Sequence, residues 1–407
     1  LVVTPTPGWY VWATPFISVF FIKFSFHHGK KQVLLVNLTL SFLYMNYFIF
    51  YYSHPLNPLT NLIFIDFPVL NNLFTHHNSL FTNISYTLLE TILLGITYLS
   101  YQYGVRSNSV YKKNTSTVIG IGGDSGSGKS TLLSDLETLF GPRNLEIIEG
   151  DSDHKWERGN KNWDTITHLH PKANFLQNQA KELAELKKGN TTFRRKYDHS
   201  KGIFTSLKKV RSNSFIAFEG LHPFYLAKAR HLIDLKIFLA PHKQVRTFWK
   251  VSRDTQRRGH SEEKVLEQIK KRANDSERFI NPQKKFADIV IEYIPHHLEG
   301  WPKTSKTLSL KMTSTLDVDL EKLVLATEDI TKLNIQHDYE EDLISQTLTI
   351  NGFVSKDKIE SIAYSIIPNL EDIIPYKINW KENYRGISQL IILYCLSDKL
   401  KDRFYEI

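Results

Sequence analysis

The sequence has little cysteine, and its first quarter has almost no charge. Cys395 is the single cysteine among 407 residues, so an internal disulfide is excluded and a reducing compartment is expected. Between Gln32 and Val105 there is no lysine or arginine, and the net charge of +9 therefore belongs to the rest of the chain. Nucleic acid and anionic lipid are possible partners for such a charge. We favour a site for small anionic substrates and expect no nucleic-acid partner.

Long uncharged runs in this first quarter predict membrane-spanning helices. The stretch Val33–Tyr52 has no charge, and Ser85–Val105 has one, Glu90. Each has the length that crosses about 30 Å of hydrocarbon as a helix. Lysines before the first stretch and basic residues after the second place both ends on the cytoplasmic side. We therefore expect residues 1–105 to be a helical membrane anchor; a helical, aromatic-rich domain that stays out of the membrane is the alternative.

Two other apolar stretches in this region are weaker candidates. The segment before Lys23 is uncharged but begins with several prolines. The segment 61–74 is short and contains Asp66 and Pro68, so we expect that it does not cross.

The stretch "STVIGIGGDSGSGKSTLL" predicts a phosphate-binding loop. A short β-branched strand precedes the pattern G-x-x-x-x-G-K-S, and an apolar run at helical spacing follows it. The glycines let backbone N–H groups turn towards phosphates, and the helix N-terminus favours their charge. We expect Lys129 to reach the β- and γ-phosphates of ATP or GTP and Ser130 to hold Mg²⁺. The predicted nucleotide-binding residues are Gly123, Asp124, Ser125, Gly126, Ser127, Gly128, Lys129, Ser130 and Thr131.

Asp151 follows the apolar stretch "LEIIEG" and is a candidate general base. The carboxyl ends of parallel strands form the ligand crevice, so this carboxylate would face the γ-phosphate. A cap for the next helix is the alternative role. His154 and Arg158 would share one helical face if the chain turned into a helix there, and two cations would suit an anionic acceptor.

A second acidic residue, Glu219, ends the apolar stretch "SFIAFEG". This is where a carboxylate that holds Mg²⁺ is found beside a phosphate loop. Further on, Lys250, Arg253, Arg257 and Arg258 recur at helical spacing just before a glycine. They predict either a lid that closes on the transferring phosphoryl group or a solvated basic face.

Eight blocks between residues 118 and 291 resemble the phosphoribulokinase/uridine kinase family, most of all phosphoribulokinases. In order, they are "GDSGSGKSTL", "EGDSDHKWER", "THLHPKANFL", "YDHSKG", "FEGLHP", "DLKIFL", "WKVSRDTQRRGHS" and "INPQKKFADIVI". The resemblance implies an α/β fold, with a mostly parallel sheet flanked by helices and a lid. It also implies a kinase that uses ATP and Mg²⁺ to phosphorylate a hydroxyl of a small metabolite, such as ribulose 5-phosphate.

The same resemblance implies roles for individual residues. Asp151 would be the general base, with Glu219 and Asp254 near the metal and phosphates. Contacts to phosphate would come from Lys250, Arg253 and Arg258. The residues implied at the acceptor site are His154, Arg158, Tyr197, His199 and His222.

Three domains are expected: the anchor at 1–105, a kinase domain at 106–300 and an accessory extension of the kinase at 301–407. In the extension, "TLSLKMTSTLDVDL" predicts a strand pair, "SQTLTINGFVS" a strand and turn, and "GISQLIILYCLSDKLKD" a helix with Cys395 in the core. We expect no metal site at the histidine pairs, and a homo-oligomer is possible. The alternatives left open are a nucleoside kinase, a membrane-tethered NTPase switch and an ATP-binding regulatory module.

Overall fold

The computed structural model describes residues 30–52, 78–100, 116–303, 307–331 and 333–405. The chain divides into two compact units, Leu1–Lys112 and Lys113–Ile407. The apolar segment before Lys23, the segment 61–74 and the last residues of the predicted span 85–105 lie outside the described residues.

In the first unit, two helices pack against each other, α1 (Lys30–Tyr52) and α2 (Asn78–Ser100). Their contact is made by buried Tyr47, Leu89 and Leu93. Large apolar side chains on the other faces are exposed, namely Leu35, Leu38, Phe42, Met45, Leu80, Ile84, Leu88, Leu94 and Tyr98.

The predicted membrane spans are not supported. Over the ranges that the structure describes, no helix combines the length and the apolar character needed to cross a membrane. Polar side chains interrupt the apolar character of both helices; Asn46, for example, donates to the Phe42 carbonyl, and Thr91 donates to the Thr87 carbonyl.

The second unit is built on an eight-stranded sheet. Its strands are β1 (Thr117–Gly123), β2 (Leu145–Glu149), β7 (Phe215–Gly220), β8 (Leu235–Leu239), β9 (Ile289–Pro295), β10 (Leu308–Thr315), β11 (Asn334–Tyr339) and β12 (Ser345–Asn351). They lie side by side in the order β11-β12-β10-β9-β8-β1-β7-β2. Five neighbouring strands run parallel to one another, namely β2, β7, β1, β8 and β9, and β10, β12 and β11 continue the sheet antiparallel.

Two small antiparallel ribbons lie between β2 and β7 in the chain. One pairs β3 (Thr191–Arg194) with β6 (Lys208–Arg211), and the other pairs β4 (Tyr197–Asp198) with β5 (Ile203–Phe204). The helices of this unit are α3 (Lys129–Phe140), α4 (Asn162–Thr165), α5 (Leu176–Lys187), α6 (Ala227–Arg230), α7 (Lys243–Arg258), α8 (Glu262–Asp275), α9 (Leu320–Ile330), α10 (Lys356–Ile366), α11 (Leu370–Ile373) and α12 (Asn383–Tyr405).

Helices cover both faces of the sheet, which explains the continuous apolar character of β1. Ile119 and Ile121 face one core with α3 and α12, whereas Val118 faces a second core with α5. All seven residues of β1 are buried, as expected for a central parallel strand. The sheet therefore presents the carboxyl ends of β1, β2 and β7 side by side, where the phosphate loop, Asp151 and Glu219 lie.

Two local predictions were wrong. The stretch "TLSLKMTSTLDVDL" contains one strand, β10, and not a strand pair, because Asp319 accepts from Lys322 N and starts α9. After Asp151 the chain makes only a 3₁₀ turn, Gly150–Asp153. His154 then pairs with Asn174 in an isolated bridge, so His154 and Arg158 do not share a helical face. The helix around Cys395 is present as α12, and Cys395 is buried.

Candidate active site

The phosphate loop joins β1 to α3 and is packed against α7. Gly126 and Gly128 have φ of +84° and +97°, values that favour glycine. Lys129 Nζ donates to the carbonyls of Gly123 and Asp124, both at 3.0 Å. Ser130 and Thr131 are exposed in the first turn of α3, and Ser125 is half-buried. The loop can therefore present backbone N–H groups, an ammonium and a hydroxyl to one anionic ligand.

Asp124 lies in the phosphate loop, and its side chain is buried among partners within the protein. Its Oδ2 accepts from Arg246 of α7 and from Ser276 Oγ at 2.6 Å, and its Oδ1 accepts from Ser125 N at 2.5 Å. Asp124 thus ties the phosphate loop to α7 and to the turn after α8. Neither Arg246 nor Ser276 was predicted from the sequence.

Glu219 lies at the carboxyl end of β7, in register with Glu149 of β2 and Ile121 of β1. The side chain is buried, and its Oε2 makes no hydrogen bond within the described part of the chain. Burial raises the pKa of Glu219 to about 7, opposed by the charge of Lys129 and assisted by that of Asp151. An unpaired buried carboxylate oxygen is costly, and oxygen is the ligand that Mg²⁺ prefers. Glu219 therefore fits a metal ligand, together with the Ser130 hydroxyl.

Asp151 is held between two histidines and caps no helix, because Glu149 holds the cap position of the 3₁₀ turn. His154 Nε2 is 3.4 Å from Asp151 Oδ1, and His199 Nε2 is 3.3 Å from Oδ2. Burial favours a raised pKa for Asp151, but the hydrogen bonds from His154 and His199 outweigh it and hold the pKa well below its ordinary value. The carboxylate is therefore ionised at neutral pH, and about a third of its side chain remains exposed.

The short ribbon β4–β5 brings the other predicted acceptor residues to this carboxylate. Tyr197 is buried, with its ring at 5.9 Å from that of His154 and 5.0 Å from that of His199. Arg158 N donates to the Gly202 carbonyl at 2.8 Å, and its guanidinium donates to the His199 carbonyl. Tyr197, His199 and Arg158 therefore lie together on one side of Asp151.

His222 is close to this group, but a backbone partner already holds it. Its Nε2 donates to the Leu169 carbonyl at 2.8 Å, and the side chain is buried. Burial lowers the pKa of His222 to about 4, so the ring is neutral. In this position His222 fixes the chain around Leu169, and its Nε2 is not available to bind a phosphoryl acceptor.

The predicted lid residues lie on α7, which ends at Gly259 with φ +67°. Asp254 is buried, and its Oδ1 accepts from Arg253 Nε at 2.9 Å and pairs with Arg258 Nη1 at 3.2 Å. Burial would raise the pKa of Asp254, but the hydrogen bond and charge of Arg253 lower it. Asp254 therefore positions the two arginines. The side chain of Arg257 lies outside the described residues.

Lys250, one turn earlier on α7, is buried against the phosphate loop. Burial, assisted by the charge of Arg272, lowers the pKa of Lys250 to about 8. Arg258 also interacts electrostatically with Asp151 and Arg158. The helix therefore contributes cations both to the phosphate loop and to the side of Asp151.

A buried ion network behind Asp151 was not predicted from the sequence. Arg194 of β3 pairs with Asp153 at 2.8 Å and with Glu182 of α5. Gln179 Nε2 also donates to Asp153 Oδ2 at 2.8 Å. The sequence signal for this network was the pair Arg194 and Arg195, just before the "YDHSKG" block. Arg194 packs inward, whereas Arg195 lies over the Phe204 ring. This network fixes the turn that carries Asp151.

Comparison with known proteins places the chain in a family. The family model described as "Phosphoribulokinase / Uridine kinase family" matches residues 118–298. A uridine kinase from Clostridium novyi (strain NT) is 32% identical over 180 residues, which are 43% of this chain and 86% of that protein. The chain belongs to the phosphoribulokinase/uridine kinase family. The resemblance given by the eight sequence blocks is thus confirmed.

Two phosphoribulokinases are also similar to this family member. That of Synechocystis sp. is 36% identical over 195 residues, covering 48% of this chain and 58% of its own length. The chloroplastic protein of Spinacia oleracea is 32% identical over 212 residues, covering 48% of this chain and 53% of its own length. The chain therefore spans just over half the length of these two relatives. The solved structure of a phosphoribulokinase from Rhodobacter spheroides aligns with a TM-score of 0.49 at 20% identity, over 64% of this chain and 97% of that one.

Proposed function

We propose that this protein is an ATP-dependent kinase that transfers the γ-phosphoryl group to a hydroxyl of a small anionic metabolite, such as ribulose 5-phosphate. One observation carries the proposal: an ionised Asp151 follows the carboxyl end of β2, between two histidines, and β7 lies between β2 and the strand that leads into the phosphate loop. A switch that only hydrolyses nucleotide has no use for this cluster of cations around a carboxylate.

The reaction follows from this arrangement. The acceptor hydroxyl gives its proton to a carboxylate oxygen of Asp151, and its oxygen attacks the γ-phosphorus. A new P–O bond forms as the bond to the β-phosphate oxygen breaks, and ADP leaves with that electron pair. His154, His199 and Arg158 would orient the acceptor through its negative charge.

The nucleotide side uses fixed positive charge. Lys129 and the N-terminus of α3 would hold the β- and γ-phosphates, and Ser130 and Glu219 would hold Mg²⁺. Bound Mg²⁺ supplies neutralisation of the charge that develops on the phosphate oxygens. Arg253 and Arg258, positioned by Asp254, would close on the transferring group and keep water away from it.

A nucleoside kinase is the second candidate. It is favoured by the uridine kinase of Clostridium novyi, because this chain covers 86% of that protein's length. The two candidates differ in the charge of the acceptor, so a panel of acceptors separates them.

The test measures ADP release by the full chain with Mg-ATP and a panel of ribulose 5-phosphate, other sugar phosphates, uridine, cytidine and simple alcohols. We expect one phosphorylated acceptor to raise the rate far above the rate with water. Asp151→Asn should reduce the acceptor-dependent rate by about 10²–10⁴-fold, the usual contribution of a general base. Asp329→Asn, an exposed carboxylate on α9, is the matched control and should leave the rate unchanged. Bound ATP without any acceptor-stimulated rate would favour the NTPase switch or the regulatory module.

We also propose that α1 and α2 attach the protein to a membrane, with the kinase on the cytoplasmic side. The nine exposed apolar side chains of this helix pair support the proposal, because patches of this kind mark membrane or protein contacts. In fractionated cells the full chain should sediment with membranes, and Leu38→Glu together with Leu88→Glu should release it. Recovery of the unchanged chain without membranes would contradict the proposal.

A further inference from the structure

Asn174 lies behind the candidate base and is buried. Its Nδ2 donates to two backbone carbonyls, those of His168 at 3.2 Å and His170 at 3.1 Å. Carbonyl oxygens only accept hydrogen bonds, so they fix which end of the amide is nitrogen. The Oδ1 of Asn174 therefore faces His154 Nδ1, at 2.7 Å, as an acceptor.

This orientation determines the protonation of His154. Its Nδ1 must carry a proton, because the partner 2.7 Å away is an amide oxygen. Its Nε2 faces the Asp151 carboxylate, a group that also only accepts. Both ring nitrogens thus face acceptors, which is the pattern of an imidazolium.

We propose that Asn174 is a positioning residue that keeps His154 doubly protonated at neutral pH, and that this cation keeps Asp151 ionised. The proton on Nδ1 rests on geometry alone, the proton on Nε2 rests also on the ionised state of Asp151, and the second part rests on the proposed kinase function. Backbone bonds hold the two segments in this arrangement, since Lys155 N donates to the Ala173 carbonyl and Phe175 N donates to the Asp153 carbonyl, both at 2.9 Å. If Asn174 moved away from His154, these backbone hydrogen bonds between the two segments would have to break.

The electrostatic surroundings of His154 agree with this assignment. Burial opposes its charge, but the Asp151 hydrogen bond and the nearby carboxylates outweigh burial and raise the pKa of His154. The neighbouring His168 is neutral, because burial and the charge of His154 lower its pKa to about 3. The charged and titratable groups that face His154 from the surrounding segments are Asp151, Asp153, His168, Arg195, Tyr197, His199 and His222. The Arg195 guanidinium donates to the His154 carbonyl.

The first test observes His154 directly and does not depend on activity. Proton–nitrogen spectra of the full chain, labelled at the histidine nitrogens, should show two N–H signals for His154 at pH 7, assigned by their loss in His154→Gln. Asn174→Leu removes the acceptor and should lower the pH at which His154 loses its second proton by about one unit, as expected for one hydrogen bond to a charged group.

The variant Asn174→Asp distinguishes an effect on the protonation of His154 from an effect on the stability of the loop. The carboxylate still accepts from His154 Nδ1, but it cannot donate to the carbonyls of His168 and His170. We expect both variants to be less stable than the parent, whereas only Asn174→Leu should lower the pH at which His154 loses its second proton. Asn190→Leu, an exposed asparagine bonded to Glu185, is the control for the substitution type and should change neither property.

The second test follows the reaction. In Asn174→Leu, the alkaline limb of kcat/KM should move down by about one pH unit, because His154 then loses its second proton, and with it the charge that orients the acceptor, at a lower pH. Asn174→Asp should keep the limb in place. The proposal is wrong if His154 shows a single N–H at pH 7 in the parent protein, or if Asn174→Leu loses stability while His154 loses its second proton at the same pH as in the parent. Absence of kinase activity with an intact His154 signal would instead refute the kinase function.

Discussion

Gly126 provides a sharp test of how closely the phosphate loop packs against α7. Its φ of +84° is a left-handed conformation, which costs an L-residue about 1–2 kcal/mol. A Cβ at this position would also stand 2.8 Å from the Cβ of Lys250. The Lys250 Cβ cannot rotate away because it is bonded to the backbone, so α7 or the loop must shift, at about 1–3 kcal/mol for overpacking. Gly126→Ala should therefore lower the free energy of unfolding by about 2–5 kcal/mol.

Gly159→Ala is the matched control, because Gly159 has almost the same φ, +86°, and no atom within 4 Å of an added Cβ. It should show only the conformational cost of about 1–2 kcal/mol. Urea unfolding of the two variants measures the difference, and calorimetry with ATP measures the effect on the loop. We expect ATP to bind at least about tenfold more weakly to Gly126→Ala, a loss of about 1.4 kcal/mol. Equal stability and equal ATP affinity of the two variants would refute the packing argument.

Three further side chains give separate tests. The pKa of His222 lies near 4, below its unfolded value of 6.5, so its contribution to stability is present above pH 6.5 and is lost as pH falls through 4. His222→Gln keeps a donor for Leu169, and thermal unfolding should show a smaller loss on acidification; an unchanged loss contradicts this. Burial lowers the pKa of Lys250 to about 8, so affinity for phosphate-bearing ligands, measured by calorimetry, should fall between pH 7 and 9 in the parent but not in Lys250→Arg. Arg385→Ala leaves the buried Asp135 carboxylate without its ion pair and should cost about 2–4 kcal/mol in urea unfolding, more than Arg385→Lys; equal stability would show that the pair is dispensable.

The sequence was sufficient to predict the central sheet and the two strand ends that carry Asp151 and Glu219. Short β-branched runs flanked by glycine or acidic residues predict β1, β2 and β7, because a parallel strand covered on both faces is apolar throughout. The phosphate-loop pattern then fixes which end of the sheet binds ligand. Since Asp151 and Glu219 follow strands of this kind, their position at the same edge as Lys129 is predictable from the residues alone.

What the sequence could not predict are the contacts between distant segments. Asn174 lies twenty positions after His154, and no periodicity links them, although the structure joins them by a hydrogen bond of 2.7 Å. Asp124 resembled a phosphate-loop residue by its position, yet its side chain faces Arg246, more than one hundred residues later. Such pairs depend on loop paths, and a local pattern carries no information about those paths.

The strand pair predicted near residue 310 failed for a different reason. Alternating apolar residues continue past β10, but Asp319 accepts from a backbone N–H and begins α9. A capping side chain therefore overrides the alternation, because it satisfies a donor that a strand would leave for a neighbour.

The continuity of the sheet across β9 and β10 has a consequence for synthesis on the ribosome. Once β9 has emerged, the parallel half of the sheet ends in an unpaired edge, which can bind another nascent chain. The protecting strand, β10, is complete only at Thr315, about one to four seconds later at usual translation rates. The ion pair of Asp135 on α3 forms much later, because its partner Arg385 is synthesised near the end of translation. The helix behind the phosphate loop thus acquires its final partner near the end of translation, long after the loop itself has been synthesised.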